Sequence, residues 1–160
     1  MGTRHLIQVD YTWETKIAQY WQWDWYIEWQ WYNILNFLRK KENIEKLKEA
    51  LKKVRFLKED DEIIKKYNEN LEKNKLTPEQ KDWFNIFISR DIWSNILFNI
   101  IESEENEIIL RDDRDFKEDT TFCEYYYIIN LDKMTLDINW QKVYDINNLP
   151  SNEEVLKDFE

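Results

Sequence analysis

Glycine is nearly absent from this chain, which holds one Gly in 160 residues. An average usage of about 7% predicts about 11 glycines at this length. The shortage excludes the phosphate-binding GxxxxGK[ST] loop, the dinucleotide-binding GxGxxG motif and the GxSxG nucleophile turn, because each needs at least two glycines. Tryptophan, normally rare, shows the opposite anomaly and occurs nine times.

Cysteine and histidine are also scarce, with one residue of each, Cys123 and His5. A single cysteine excludes an internal disulfide and a cysteine-built metal site. Without a second histidine, a zinc site would need several carboxylates, which is an uncommon ligand set. The carboxylate runs at 60–62 and 112–115 lack the spacing of a calcium loop. We therefore predict neither a metal nor a cofactor.

Basic residues are outnumbered by acidic ones, 23 to 33, and the net charge is −10. This balance disfavours direct nucleic-acid binding, which needs clustered Lys and Arg. An acidic surface attracts basic protein surfaces instead, including those that hold nucleic acid. The run with Asp112, Asp113 and Asp115 is the predicted binding surface, and a merely solvated loop is the alternative interpretation.

Long apolar runs are missing too, and none approaches the ~18 residues that span a bilayer. The first residues lack the basic-then-apolar layout of a signal peptide. We expect a protein of the bacterial host cytoplasm with no membrane contact. The sequence does not indicate an oligomeric state.

Hydrophobic periodicity predicts strands at both ends of the chain and helices between them. Thr77 and Gln80 form a capping-box pattern around Pro78, and Ser151 with Glu154 repeats it near the end. The predicted strands are 4–10, 14–20, 107–110, 122–131 and 135–139. The predicted helices begin near residue 33 and include 44–54, 59–71, a helix opened at 77, 89–101 and a short final helix.

This order of elements predicts one α+β domain over residues 1–160. A mainly antiparallel sheet should join the N- and C-terminal strands, with a helical middle at 33–102. The expected core residues carry the apolar stripes of the helices and the inward positions of the late strand. They are Ile44, Leu47, Leu51, Phe87, Ile96, Leu97, Tyr125, Tyr127 and Ile129.

The aromatic run at 20–26 is either core or an exposed contact patch. As a patch it adds Trp23, Asp24 and Tyr26 to the predicted binding residues. A stacking platform for single-stranded nucleic acid would need a basic groove, and the neighbours of this run are mostly acidic. The competing enzyme hypothesis places a pocket at the 19–31 turn, with His5, Asp24 and Glu28 as catalytic residues.

Residues 1–7 (MGTRHLI) and 16–26 (KIAQYWQWDWY) resemble the opening of an uncharacterised family found in bacteriophages and some microbial genomes. Residues 89–97 and 122–132 resemble two further segments of that family. The family implies no established activity, but it has glycine at many positions where this chain has tryptophan. Those positions are 21, 25, 29, 31 and 93, together with 13 and 140.

One cause accounts for the excess of tryptophan and the lack of glycine. The codon UGA is read as Trp in one variant genetic code and as Gly in another. An AT-rich gene from a UGA-glycine source, translated with UGA as tryptophan, would carry this composition. Because Trp is poorly tolerated at positive φ, residues 20–32 should then be strained, rearranged or unusually exposed.

Small size, acidity and the resemblance together predict a phage-type accessory protein that acts by binding. Its expected partner is a host or defence-system protein with a basic surface, for instance the target of an anti-CRISPR inhibitor. The alternative is the small hydrolase or ligand-binding enzyme described above.

Overall fold

The fold is known from a computed structural model that describes residues 3–23, 27–87 and 96–159, without the side chains of 23, 27–29, 83 and 85–87. The strands are β1 Thr3–Tyr11, β2 Glu14–Trp23, β3 Val54–Phe56, β4 Ile108–Leu110, β5 Tyr125–Asn130, β6 Thr135–Ile138 and β7 Lys142–Asp145. The helices are α1 Ile27–Leu38, α2 Lys41–Leu51, α3 Glu62–Glu72, α4 Pro78–Phe87, α5 Ile96–Glu102 and α6 Asn152–Lys157.

A five-stranded sheet with the order β2-β1-β5-β6-β7 joins the two ends of the chain. β1 pairs with β5 in parallel, and the other neighbouring strands are antiparallel. The predicted α+β architecture, a mainly antiparallel sheet with helices between its strands, is confirmed.

The helices cover one face of this sheet, where the side chains alternate inward. Ile7, Val9, Tyr127 and Ile129 on that face are buried against α1, α2 and α5. All the predicted core residues that the structure describes are buried except Tyr125, which is half-buried; Phe87 lies outside the described side chains.

The opposite face of the sheet is covered by the segment 111–124, which contains a 3₁₀ turn at Arg114–Glu118. Leu6, Tyr126 and Ile128 form a second, smaller core there, with Phe116 and Cys123 packed against it. The backbone N–H of Asp113 donates to the carbonyl of Ala18 at 2.9 Å and fixes this segment to β2.

A second sheet of two short strands differs from the prediction. Val54, expected at the end of a helix, begins β3, and β3 pairs in parallel with β4. The predicted strand 107–110 therefore lies outside the main sheet. β7 was not predicted. Its four residues lack an apolar alternation, and only Tyr144 among them is buried.

Two hairpin turns hold tryptophan in left-handed backbone. Thr12 and Trp13 take φ of 54° and 61°, and Asn139 and Trp140 take 57° and 55°. Positive φ at both central residues defines the type I′ turn, whose second position strongly favours glycine. The carboxylate of Asp132 accepts from both backbone N–H groups of the first turn, each at 3.0 Å.

Trp21 and Trp31, by contrast, do not meet the expectation that residues 20–32 are strained, rearranged or exposed; residues 24–26 of that segment lie outside the described residues. Trp21 is 4% exposed in β2 and Trp31 is 2% exposed in α1, and neither has a positive φ. Their bulk is absorbed because both indoles lie between the sheet and the helical layer. Trp25, Trp29 and Trp93 lie outside the described side chains.

Candidate functional site

A groove lies between α3, α4 and the chain that leads into β4. Its volume is about 510 Å³, which falls within the usual range for ligand and peptide sites. We call it the acidic groove; its lining residues are Ile63, Lys66, Tyr67, Glu79, Gln80, Glu105, Asn106, Glu107 and Ile109.

Arg55 on β3 fixes the position of α3 beside the groove. Its guanidinium makes two hydrogen bonds to the carboxylate of Asp61, at 2.7 and 2.9 Å, and its Nε lies 3.1 Å from Glu107. The hydrogen bond from Arg55, together with a hydrogen bond from the backbone N–H of Lys58, lowers the pKa of Asp61 to about 2. One cation thus joins β3, the start of α3 and the wall before β4.

The apolar side of the groove comes from α3, a helix with no buried residue. The apolar stripe of α3 is the one predicted from the sequence, but the helix lies at the edge of the fold and this stripe is only partly covered. Ile63 is 37% exposed and Leu71 53% exposed. Tyr67 stacks flat on Phe84 of α4 at 4.2 Å, so the α3–α4 hairpin has a packed base.

Carboxylates outnumber basic groups in the lining of the groove, where Glu79, Glu105 and Glu107 stand beside one lysine, Lys66. Glu107 is paired with Arg55, which leaves Glu79 and Glu105 as the carboxylates without a salt bridge among the described residues. Hydrogen bonds from its own backbone N–H and from Thr77 lower the pKa of Glu79 below its usual range. An apolar floor with an acidic rim suits a segment that carries both apolar and basic side chains.

The predicted acidic run is less available than its sequence indicates. Asp112 is held by Arg114, with Nη2 at 2.8 Å, and Asp113 is held by Arg111 at 3.2 Å and by the backbone N–H of Tyr20 at 3.1 Å. Asp115 is exposed. The Asp113 carboxylate thus helps to fasten 111–124 onto β2, whereas Asp112 is paired within its own segment.

His5 lies in the core, 1% exposed, and not in an open pocket. It stacks on Trp21 at 5.0 Å and lies 6.0 Å from the ring of Tyr127. Burial lowers its pKa to about 4, so the imidazole is neutral at physiological pH. The structural interpretation of this histidine fits its position better than a catalytic one.

The remaining predicted site residues cannot be joined to His5. Asp24 and Tyr26 lie outside the described residues, and the side chains of Trp23 and Glu28 do as well. Cys123 is half-buried, and burial raises the pKa of its thiol to about 11, as expected of an inert cysteine. In the part of the chain that the structure describes, no three His, Cys, Asp or Glu residues are grouped to hold a metal.

The sequence interpretation missed the groove, although one signal for it was present. The stripe of α3 was recognised as amphipathic and more polar than that of α2. A short apolar stripe on a strongly charged helix fits a helix at the rim of a fold. The convergence of Glu79, Glu105 and Glu107 depends on chain segments that are distant in sequence.

Comparison with known protein families, with curated proteins and with solved structures gives no match. The resemblance of residues 1–7 and 16–26 to a phage family accordingly stays a prediction. None of the described helices combines the length and the apolar character that crossing a membrane requires.

Proposed function

We propose that this protein acts by binding a partner protein through the acidic groove, as a small accessory protein and not as an enzyme. The observation that carries the proposal is the groove itself, whose lining combines an incompletely covered apolar helix face with three carboxylates, one of them paired with Arg55. A segment of the partner with alternating basic and apolar side chains satisfies both parts of this surface.

The partner class follows from the charge. Proteins that hold nucleic acid have basic surfaces, and an acidic protein competes for such a surface. The proposed partner is therefore a host or defence-system protein with a basic surface. The proposed mode of action is inhibition of that partner, for instance of a CRISPR effector. Direct nucleic-acid binding by this chain is not part of the proposal.

The experiment is a calorimetric titration with a synthetic peptide of alternating lysine and leucine, beside a matched peptide of alternating glutamate and leucine. We expect the lysine peptide to bind and the glutamate peptide not to. The affinity should fall about tenfold or more between low and physiological salt, because the rim charges are exposed and screened. Equal binding of both peptides, or a salt-independent affinity, contradicts the proposal.

The enzyme hypothesis is tested in the same preparation by the variant His5→Phe, which keeps a ring at the buried site. Peptide binding should be unchanged in this variant, since His5 lies on the sheet and lines no part of the groove. A catalysed turnover that disappears with His5→Phe would favour the enzyme.

A further inference from the structure

The main sheet ends at β7, and the outer edge of this strand is open. β7 is the last strand in the order β2-β1-β5-β6-β7, and three of its four side chains are exposed. At the other end of the sheet, β2 is joined to the segment 111–124, because the N–H of Asp113 donates to the carbonyl of Ala18 at 2.9 Å. An open edge with unpaired main-chain groups is a template for pairing with another strand.

The main-chain groups on this edge follow from the pairing with β6. The N–H of Ile146 donates to the carbonyl of Met134 at 2.9 Å, just beyond the β6–β7 ladder. Hydrogen-bonded and non-hydrogen-bonded positions alternate in an antiparallel pair. Val143 and Asp145 therefore direct their N–H groups away from β6. Outside this ladder, no main-chain carbonyl of the described residues accepts from either N–H.

The side chains of the edge differ between the two faces of the sheet. Val143 is 61% exposed and lies on the face opposite the helices, since its neighbour Tyr144 is buried in the helical-face core. On the helical face, the Lys142 ammonium lies 3.0 Å from the carboxylate of Asp158, and the Tyr144 hydroxyl donates to the same carboxylate at 2.8 Å. The edge thus offers an apolar side chain on one face and a pair of opposite charges on the other.

A second copy of this chain fits the edge in one register. Two copies of a strand that pair antiparallel about a two-fold axis place one residue opposite itself. With Val143 in that position, its outward N–H and C=O in each copy meet those of the other copy. The same register puts Lys142 opposite Tyr144 of the second copy, with Cβ atoms about 4.5–5.5 Å apart. Because that tyrosine holds Asp158 of its own copy, each Lys142 is brought towards a carboxylate of the other copy.

We propose that β7 pairs with β7 of a second copy of this chain, antiparallel and with Val143 opposite Val143, so that two five-stranded sheets become one continuous sheet. The pairing covers the exposed valine and alternates the charges of Lys142 and Asp158 across the axis. A strand pair of this length buries less than the roughly 1,200 Å² of a standard interface, so the dimer should depend on protein concentration. β7 lines no part of the acidic groove, and neither proposal rests on the other.

A charge exchange at Val143 tests the pairing, with sedimentation velocity as the measurement. The wild type should shift from monomer to dimer as its concentration rises. Val143→Asp and Val143→Lys should each stay monomeric over the same range, because like charges then lie opposite each other. An equimolar mixture of the two should form dimers, since opposite charges then meet. Trp13→Asp, at an equally exposed position on another hairpin, is the control and should dimerise as the wild type does.

Three results would overturn the proposal. They are a wild type that is monomeric at every concentration, a Val143→Asp variant that dimerises as well as the wild type, and a mixture that dimerises no better than its components. The second result would place the contact on another surface.

A disulfide cross-link measures the register directly. Opposed residues of a hydrogen-bonded pair have Cα atoms about 5.5 Å apart, which suits a disulfide. In a Cys123→Ser background, Val143→Cys should give a covalent dimer under mild oxidation. Gln141→Cys is the matched control, because its two copies would lie four residues apart along the strands, about 13 Å. Equal cross-linking of the two variants would show random collision and overturn the proposed register.

Discussion

Trp13 and Trp140 share a left-handed backbone, with φ of 61° and 55°, at the tips of two different hairpins. Left-handed backbone places the Cβ of any L-residue too close to the following carbonyl. Both side chains are largely exposed, at 81% and 67%, so they recover little by burial. These two turns therefore have a backbone conformation that favours glycine, although the residue present is tryptophan.

Trp13→Gly should therefore raise the free energy of unfolding by about 0.5–1 kcal/mol, the relief of the Cβ contact less the greater flexibility of glycine. Trp140→Gly should gain less, because its ring lies 5.4 Å from that of Tyr126. Urea unfolding measures both changes. Trp21→Gly is the control and should cost about 3–5 kcal/mol, since it empties a buried position; a gain there, or a loss in Trp13→Gly, would be inconsistent with this assignment.

The gene sequence tests the recoding interpretation separately. We expect UGA at most of the tryptophan positions where the resembled family has glycine, and UGG at position 23. The positions to read are 13, 21, 25, 29, 31 and 93. UGG at all of them would exclude the interpretation and leave the strained turns as a native property of the chain.

The core prediction compares two leucines on neighbouring helices. Leu47 on α2 is fully buried, whereas Leu71 on α3 is 53% exposed. Leu47→Ala should cost roughly 2–5 kcal/mol and Leu71→Ala less than about 0.5 kcal/mol, by chemical unfolding. Similar losses for the two variants would mean that α3 is packed as tightly as α2 and would contradict the partly covered position assigned to this helix.

His5 gives the stability a defined pH dependence. A fall of its pKa from 6.5 to about 4 corresponds to about 3 kcal/mol. Because the folded pKa is the lower one, this stability is fully present above about pH 6.5 and is lost as the pH falls towards 4. We expect the wild type to lose about 3 kcal/mol more than His5→Phe between these limits; equal losses would place His5 in contact with water.

The sequence predicted what depends on near neighbours. The spacing of Ile44, Leu47 and Leu51 gave α2, and the pattern at Thr77 gave a real capping box, with Gln80 N–H donating to the Thr77 hydroxyl at 3.2 Å. Ser151 and Glu154 form the second box.

What the sequence could not predict depends on distant partners. Val54 leaves the helical pattern because β4, more than fifty residues later, pairs with it. The parallel contact of β1 with β5 and the meeting of Glu79 with Glu105 are likewise products of the complete fold.

The most direct test of the acidic groove compares one charge reversal inside the groove with the same charge reversal outside it. Glu105→Lys changes the rim, and Glu153→Lys makes the same change on the exposed surface of α6. With the lysine–leucine peptide as ligand, calorimetry should show an affinity about tenfold lower for Glu105→Lys and nearly unchanged for Glu153→Lys. Equal losses in the two variants would mean that only the net charge attracts the peptide, and the groove would have no part in binding.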